Sequence, residues 1–475
     1  MLLAIDQGTT GTTSLVVDES LQTLGRGYVE LRQHFPAPGL VEHDADEIWQ
    51  TVLDAAAAAL ADADAGAGEL EAIGITNQRE TTLLWDRRSG APVGRAIVWQ
   101  DRRTAARCSE LPVGLIRERT GLIPDPYFSA TKLEWLLANV GAAGDVAFGT
   151  IDSWLLWKLC DEHLTDVSNA SRTMLLDINA LAWDDELLDL FSVPRGVLPR
   201  LVPSSGVVGE GELLGALVPV GGIAGDQQAA LFGQRCFTPG QAKATYGTGA
   251  FVLVNAGSSP AAAPEGVLRT VAWQLGDSDP VYALEGAVFV AGAAIQWLRD
   301  GLGLIESAAE TEALARSLDG NEGVYFVPAL AGLGAPHWAP DARGLIVGLT
   351  GGTGREHLVR AALEAIAFQT CDVLDAMEIE LDVLRADGGA AANGFLMQLQ
   401  ADLARVPVEV ATEREATALG AASLAGLAVG TWPGLEALEQ ARPPAARYEP
   451  SLDGDEAERL LAEWRVAVRR ALLPR

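Results

Sequence analysis

The chain opens with Leu2-Leu3-Ala4-Ile5-Asp6-Gln7-Gly8-Thr9-Thr10-Gly11-Thr12-Thr13-Ser14-Leu15-Val16-Val17. Leu2 to Ile5 read as a short apolar strand, Asp6 to Thr13 as a turn, and Leu15 to Val17 as the returning strand of a β-hairpin. An acid at a strand end, followed by glycine and hydroxyls in a tight turn, has the parts of a phosphate clip. Backbone N–H groups and threonine hydroxyls can hold phosphate oxygens, while Asp6 can position Mg²⁺ directly or through water. The plainer alternative is an ordinary hairpin with turn-favouring residues. The same plan recurs mid-chain, where Ala242-Lys243-Ala244-Thr245 leads to Tyr246-Gly247-Thr248-Gly249 and Phe251 to Val254 return. Two such hairpins point to a duplicated domain pair, divided near Arg235 to Pro239. A length of 475 residues also favours two domains, each of about 200 residues or more.

Helical segments alternate with short strands between and after the hairpins. Asp44 and Asp46 are expected caps for a helix that turns Ile48, Trp49, Val52 and Leu53 to one face. Ala72-Ile73-Gly74-Ile75 is a strand ending at Asn77-Gln78-Arg79-Glu80-Thr81. Thr353 is expected to cap a long helix with Leu358, Ile366, Val373 and Met377 inward. Val383 and Leu384 then lead to the turn Asp387-Gly388-Gly389 and a helix through Phe395, Leu396 and Leu399. The proline-bearing stretch 430–452 is expected to be loop before a terminal helix. This alternation implies an α/β fold with mixed sheets. Two clips together with a glycine turn opening a helix are the parts that actin-like folds use.

Composition narrows the function. The formal charge of -30 argues against nucleic acid and anionic membranes, since both call for a basic face. Lys132, Lys158 and Lys243 are the only lysines, a skew that fits either a GC-rich genome or a salty cytoplasm. Four scattered cysteines without a CxxC pair suit reduced thiols, and no signal peptide or membrane span is expected, so the compartment is expected to be cytoplasmic. There is no Gly-Lys dipeptide and hence no P-loop, and GxGxxG, HRD, DFG, HExxH and GxSxG are all missing. Nucleotide binding, if present, uses a different grip.

Other residues carry open alternatives on local grounds. Arg79-Glu80 is either a pair that binds hydroxyls or a surface ion pair. Asp226 is either a helix N-cap or a carboxylate held at a helix start to accept a proton. Trp99 and Tyr127 either wall a carbon backbone or simply pack, and packing is the better expectation.

Runs of sequence then join these residues. Asp6 to Thr10, Gly74 to Thr82, Ala96 to Gln100, Asp125 to Ser129 and Asn169 to Thr173 resemble the glycerol kinases of the FGGY carbohydrate-kinase family. So do Gly225 to Gln228, Tyr246 to Gly249, Ala283 to Ala287, Gly332 to Pro336 and Asp387 to Gly389, in order along nearly the whole chain. The resemblance implies two actin-like (ribonuclease H-like) domains with the active site in the cleft between them. They would be residues 1–236, glycerol-binding with the first hairpin, and 237–475, nucleotide-binding with the second. It implies that Arg79, Glu80, Tyr127, Asp226 and Gln227 bind glycerol, with Trp99 and Phe251 flanking its carbons and Asp226 as general base. Asp6 would organise Mg²⁺, while Thr9, Thr10, Gly11, Thr248, Gly292, Gln296, Gly389 and Asn393 would contact ATP. The implied reaction makes sn-glycerol 3-phosphate and ADP by in-line transfer, the first step of glycerol catabolism, and homodimers or homotetramers are common in the family.

Two departures stand out. Family members commonly carry an arginine where this chain has Thr13, so the first clip is less positive. The segment Gly209-Glu210-Gly211-Glu212-Leu213-Leu214-Gly215-Ala216-Leu217 is acidic where some relatives bind fructose 1,6-bisphosphate, so no inhibition by that ligand is expected. Two rival readings remain. One is a kinase of another polyol or sugar, such as erythritol or a ketose. The other is a non-catalytic actin-like nucleotide-binding protein, which would have no use for both Asp6 and Asp226.

Overall fold

The computed structural model describes residues 1–139, 145–259, 262–412, 415–439 and 443–473. The opening hairpin forms as its sequence dictates. Strand β1 (Leu2–Gln7) pairs antiparallel with β2 (Gly11–Val17), from Leu2 opposite Val17 to Gln7 opposite Thr12. Strands β3 (Thr23–Glu30), β4 (Ala72–Asn77), β5 (Ser205–Leu213) and β6 (Ala216–Gly225) complete a sheet of order β5-β6-β4-β1-β2-β3. In it β4 lies parallel to β1, and β6 parallel to β4.

The second hairpin builds a second sheet on the same plan. Strand β7 (Gln241–Tyr246) pairs antiparallel with β8 (Ala250–Gly257). Around them lie β9 (Leu268–Trp273), β10 (Val281–Val288), β11 (Val383–Asp387), β12 (Val408–Val410) and β13 (Ala446–Tyr448), in the order β9-β10-β8-β7-β11-β12-β13. Again the first hairpin strand has a parallel neighbour, β11, with β12 parallel beyond it. Parallel neighbours need long crossovers, and helices supply them. This repeated order is that of two actin-like α/β domains.

The crossover helices show what local signals decide. In α1 (Ala45–Asp62) the Asp44 carboxylate accepts from the amides of Asp46 and Glu47, at 3.0 and 3.1 Å. Asp44 is therefore the cap, and Asp46 sits in the first turn, where its charge suits the helix dipole. Ile48 and Val52 are buried, while Trp49 and Leu53 are half-buried against the same core. Helix α4 (Arg355–Ala376) corrects an expectation: its cap is Gly354, not Thr353. The Thr353 hydroxyl is taken by the preceding turn, accepting from Thr350 N, and His357 Nδ1 accepts the Gly354 amide instead.

The stretch 430–452 is a second correction. It holds a short helix, Leu435–Glu439, and the edge strand β13, antiparallel to β12. Pro443, Pro444 and Pro450 flank that strand, where a missing amide costs no ladder bond. Helix α6 (Ala416–Val429), which follows α5 (Gly394–Ala404), packs on the first sheet although it comes from the second half. A Cβ at Gly74 of β4 would lie 2.1 Å from the Ala421 carbonyl, so only glycine admits this approach. One buried cluster accordingly mixes Leu2 and Leu15 with Leu253, Trp273, Ala418 and Leu424. The four cysteines are free thiols, and among the described residues no helix is long and apolar enough to cross a membrane.

Candidate active site

Strand β4 ends by delivering Arg79 and Glu80 inward, and their side chains are only 1% exposed. The surface ion pair that the bare dipeptide suggests does not form. Glu80 adopts φ +60°, a left-handed conformation unusual for a non-glycine residue. The Arg79 guanidinium donates from Nη1 to Glu285 Oε2 at 2.7 Å and from Nη2 to Glu285 Oε1 at 2.9 Å. Nη2 also reaches the Tyr127 hydroxyl at 3.2 Å, and Nε lies 3.1 Å from Asp226 Oδ1.

Arg172 closes a ring of charges. Its Nε donates to Glu80 Oε1 at 2.7 Å and its Nη2 to Glu285 Oε1 at 3.0 Å. Burial alone would raise both carboxylates. For Glu285 the guanidiniums of Arg172 and Arg79 more than reverse this, holding it down to about 2. For Glu80 burial wins over the same two cations, so its carboxyl is raised. The difference follows the contacts: Glu285 takes three short guanidinium bonds and Glu80 one. Because Glu285 sits on β10 of the second sheet, the ring ties the two sheets together at this cluster.

Tyr127 lies on the loop before α2 (Ser129–Asn139), and a buried lysine fixes that loop. The Lys132 ammonium donates to the carbonyls of Pro126, Tyr127 and Phe128 at 2.9, 2.6 and 2.8 Å. All three of its donors are used. Burial nevertheless pulls it down to about 7, against the raising effect of Glu80, Asp101 and Asp125. Trp99 stands edge-on to Tyr127, with ring centroids 5.5 Å apart, and its Nε1 donates to Thr9 Oγ1 at 2.9 Å. Both rings are half-buried and pack against each other.

Asp226 opens α3 (Asp226–Gly233), whose cap is Gly225. It is therefore not the N-cap; its carboxylate accepts the Gln227 amide and faces Arg79. Its side chain is 33% exposed. The neighbouring Gln227 Oε1 accepts from the ammonium of Lys243, itself fully buried on β7. Burial brings Lys243 down to about 8, opposed by the charges of Asp387, Asp226 and Glu285.

Asp6 is the penultimate residue of β1, in register with Thr13 and Thr76. Burial pushes its carboxyl up to about 8, and the charges of Asp226 and Glu415 push the same way. An anion disfavoured in this manner, beside a second carboxylate, fits a divalent cation. Among the described residues no cluster of three or more His, Cys, Asp or Glu could hold a metal alone. A magnesium ion at Asp6 would therefore complete its shell with water and phosphate oxygens, as that ion commonly does.

Thr248, Gly292, Gln296, Gly389 and Asn393 line one cavity of about 590 Å³ in the second domain, within the usual size range of small-ligand sites. The second hairpin tip is pinned there. Thr248 O accepts the amides of Ala291 and Ala293, and Gly247 O accepts that of Gly292, all within 3.0 Å. Gly388 has φ +86°, and a Cβ there would lie 2.5 Å from the Tyr246 carbonyl. Thr9, Thr10 and Gly11 belong to the opposite hairpin, in the first domain, and do not line this cavity. Phe251 is half-buried on β8, in register with Thr245 and Ala287. The acidic segment 209–217 forms the β5–β6 hairpin.

Glu285, Arg172, Lys132 and Lys243 were not singled out as site residues from sequence, although signals existed. Glu285 is a lone charge in the apolar run Ala283 to Val288, and a charge inside a strand that is buried on both faces needs a partner. The scarcity of lysine was a second signal, since two of the three lysines are fully buried at this site.

Residues 1–233 match the N-terminal domain of the FGGY family of carbohydrate kinases, and residues 242–429 match its C-terminal domain. A glycerol kinase of Dechloromonas aromatica is 54% identical, over 99% of this chain and 97% of its own. One from Bordetella parapertussis is 53% identical, over 98% and 96% respectively. The crystal structure of Plasmodium falciparum glycerol kinase with ADP is 36% identical, covers 100% of this chain and 98% of its own, and superposes with a TM-score of 0.95.

Proposed function

The chain belongs to the FGGY family of carbohydrate kinases, and from that premise we propose that it transfers the γ-phosphoryl group of ATP to glycerol, giving sn-glycerol 3-phosphate and ADP. The observation that carries the acceptor assignment is the convergence of Arg79, Glu80, Tyr127 and Asp226, from three distant segments, on one half-closed cluster. Charged donors and acceptors held rigid by burial are what discriminate a polyol from water, because an unmatched partner leaves them unpaired.

The resemblance of the surrounding motifs to those of glycerol kinases supports the individual roles. Arg79 and Tyr127 donate to hydroxyl oxygens, and Glu80 accepts from a hydroxyl. Trp99, and Phe251 from the second domain, cover the carbons. Gln227, held by Lys243, presents its amide to the same pocket. Asp226 accepts the proton of the terminal hydroxyl as its oxygen forms the bond to phosphorus and the bond to ADP breaks. Arg79 at 3.1 Å orients that carboxylate and steadies its charge.

Thr248, Gly292, Gln296, Gly389 and Asn393 hold the nucleotide in the cavity of the second domain, and Thr9, Thr10 and Gly11 meet its phosphates from the first. Asp6 would hold Mg²⁺, which when bound would neutralise charge on the phosphates. The division into residues 1–236 and 237–475, with α6 of the second part returning to pack on the first sheet, would put acceptor and donor on opposite walls that exclude water on closing. A cytoplasmic setting supplies the ATP.

The test is a substrate panel. Glycerol is expected to exceed erythritol and a ketose in kcat/KM by at least about a hundredfold, the scale at which unpaired buried polar groups discriminate. A higher kcat/KM for either alternative would refute the assignment.

A further inference from the structure

We infer that Asp166, which touches neither substrate pocket, is a shared positioning residue that sets the geometry of both Arg79 and Asp226. Asp166 ends a short strand and caps the helical turn Val167–Ala170. Its Oδ1 accepts from Ser168 Oγ, Asn169 N and Asn169 Nδ2, each at 2.9 Å. Its Oδ2 accepts from Ser168 N at 2.9 Å and Ser204 Oγ at 2.7 Å. Five donors saturate a carboxylate that is 0% exposed, so its position is fixed.

From this hub two arms reach the site. Along the first, the Ser168 hydroxyl oxygen accepts the backbone N–H of Gly225 at 3.0 Å. Gly225 is the residue before Asp226 and caps its helix, so this bond sets where the proton acceptor stands. Along the second, Asn169 and Asn77 exchange side-chain amides, Asn77 Nδ2 donating at 3.0 Å and Asn169 Nδ2 at 3.2 Å. Asn77 Nδ2 also donates to the Gln78 carbonyl at 2.9 Å, immediately before Arg79. Ser168, Asn169 and Asn77 are all fully buried. No bond of this network reaches a substrate-contacting side chain, yet each arm ends one residue short of one.

The inference rests on the kinase reading, and its test separates the two arms. Ser168→Ala cuts only the Asp226 arm, and kcat for glycerol is expected to fall about tenfold, with KM within about twofold, as displaced catalytic groups behave. Asn169→Ala cuts the Arg79 arm, and KM for glycerol is expected to rise about tenfold, with kcat within about threefold. Asp166→Asn combines both defects. Hydrogen exchange supplies a readout independent of turnover: Ser168→Ala speeds exchange in 222–228 but not in 76–82, and Asn169→Ala does the reverse. A wild-type chain inactive on glycerol would sink the kinase reading, and the exchange pattern would still decide the positioning role. If the two arms change both kinetic constants alike, or exchange is unchanged or equally faster in both segments, the inference is wrong.

Discussion

Removing the Glu285 carboxylate tests how the acceptor site is held together. The ring contains two guanidiniums and two carboxylates, with side-chain exposures of 1% for Arg79, 0% for Arg172, 1% for Glu80 and 2% for Glu285. Glu285→Gln leaves two sealed cations against one anion. Breaking a buried pair from one side typically costs about 3–5 kcal/mol, because the stranded charge has lost its solvent and its partner. Arg172→Met strands the opposite charge and also removes the guanidinium from the faces of Tyr127 and Phe128, where it lies 5.7 and 5.2 Å from the centroids. The double variant restores neutrality with Arg79 and Glu80 alone. It is therefore expected to cost about as much as one single variant, so the coupling is about the cost of the other single, roughly 3–5 kcal/mol. Urea unfolding at neutral pH, followed by tryptophan fluorescence, gives the three free energies. Glycerol KM should rise at least about tenfold in Glu285→Gln, since Arg79 loses its bidentate partner. Additive costs, or a loss below about 1 kcal/mol in Glu285→Gln, would refute the charge-balance reasoning.

Three further outcomes are expected. Asp226→Asn keeps the shape of the pocket but cannot take a proton, so glycerol binding by calorimetry should stay within about threefold while kcat falls by about a hundredfold or more; near-normal turnover would remove the general-base role. Lys132→Met frees the carbonyls of residues 126–128, and glycerol KM should rise about tenfold with kcat within about threefold; an equal fall in kcat would mean a disturbance wider than the Tyr127 loop. Burial, with the His34 charge, lowers the His43 imidazole to about 4 from an ordinary 6.5. As pH falls the unfolded chain therefore takes up this proton first, and the stability present above 6.5 is lost as pH drops toward 4, up to roughly 3 kcal/mol. The stability gap between wild type and His43→Asn, measured in urea at pH 7.5 and 4.5, should shrink on acidification, and a constant gap would contradict it.

Much of the fold was legible because its signals are local. The hairpins at Asp6 and Tyr246 combine alternating strands with glycine tips, and Asp44 caps its helix through atoms two and three residues away. Thr353 failed as a cap because a competing turn bond to Thr350 and the His357 ring decided the matter, and neither is visible as a propensity. Strand β13 was hidden by flanking prolines, which mark an edge as readily as a loop. The packing of α6 onto the first sheet depends on the bare backbone at Gly74, a tertiary fit with no local signature.

At the site, the residue identities of Arg79, Glu80, Tyr127 and Asp226 came from motif resemblance, but their wiring did not. Arg79 and Glu285 are separated by 206 positions, and nothing near either one names the other. Asp226 looked equally like a cap from its neighbours. Only the position of Gly225 ahead of it, and Arg79 across from it, decide otherwise.

The most direct measurement is ADP release from ATP and Mg²⁺ by the purified chain, with and without glycerol, alongside assay of sn-glycerol 3-phosphate. Release that rises at least about a hundredfold with glycerol, at one ADP per glycerol phosphate formed, is the expected result, since the closed cleft excludes water as acceptor. ADP release that is the same without glycerol, or that yields no glycerol phosphate, would contradict it.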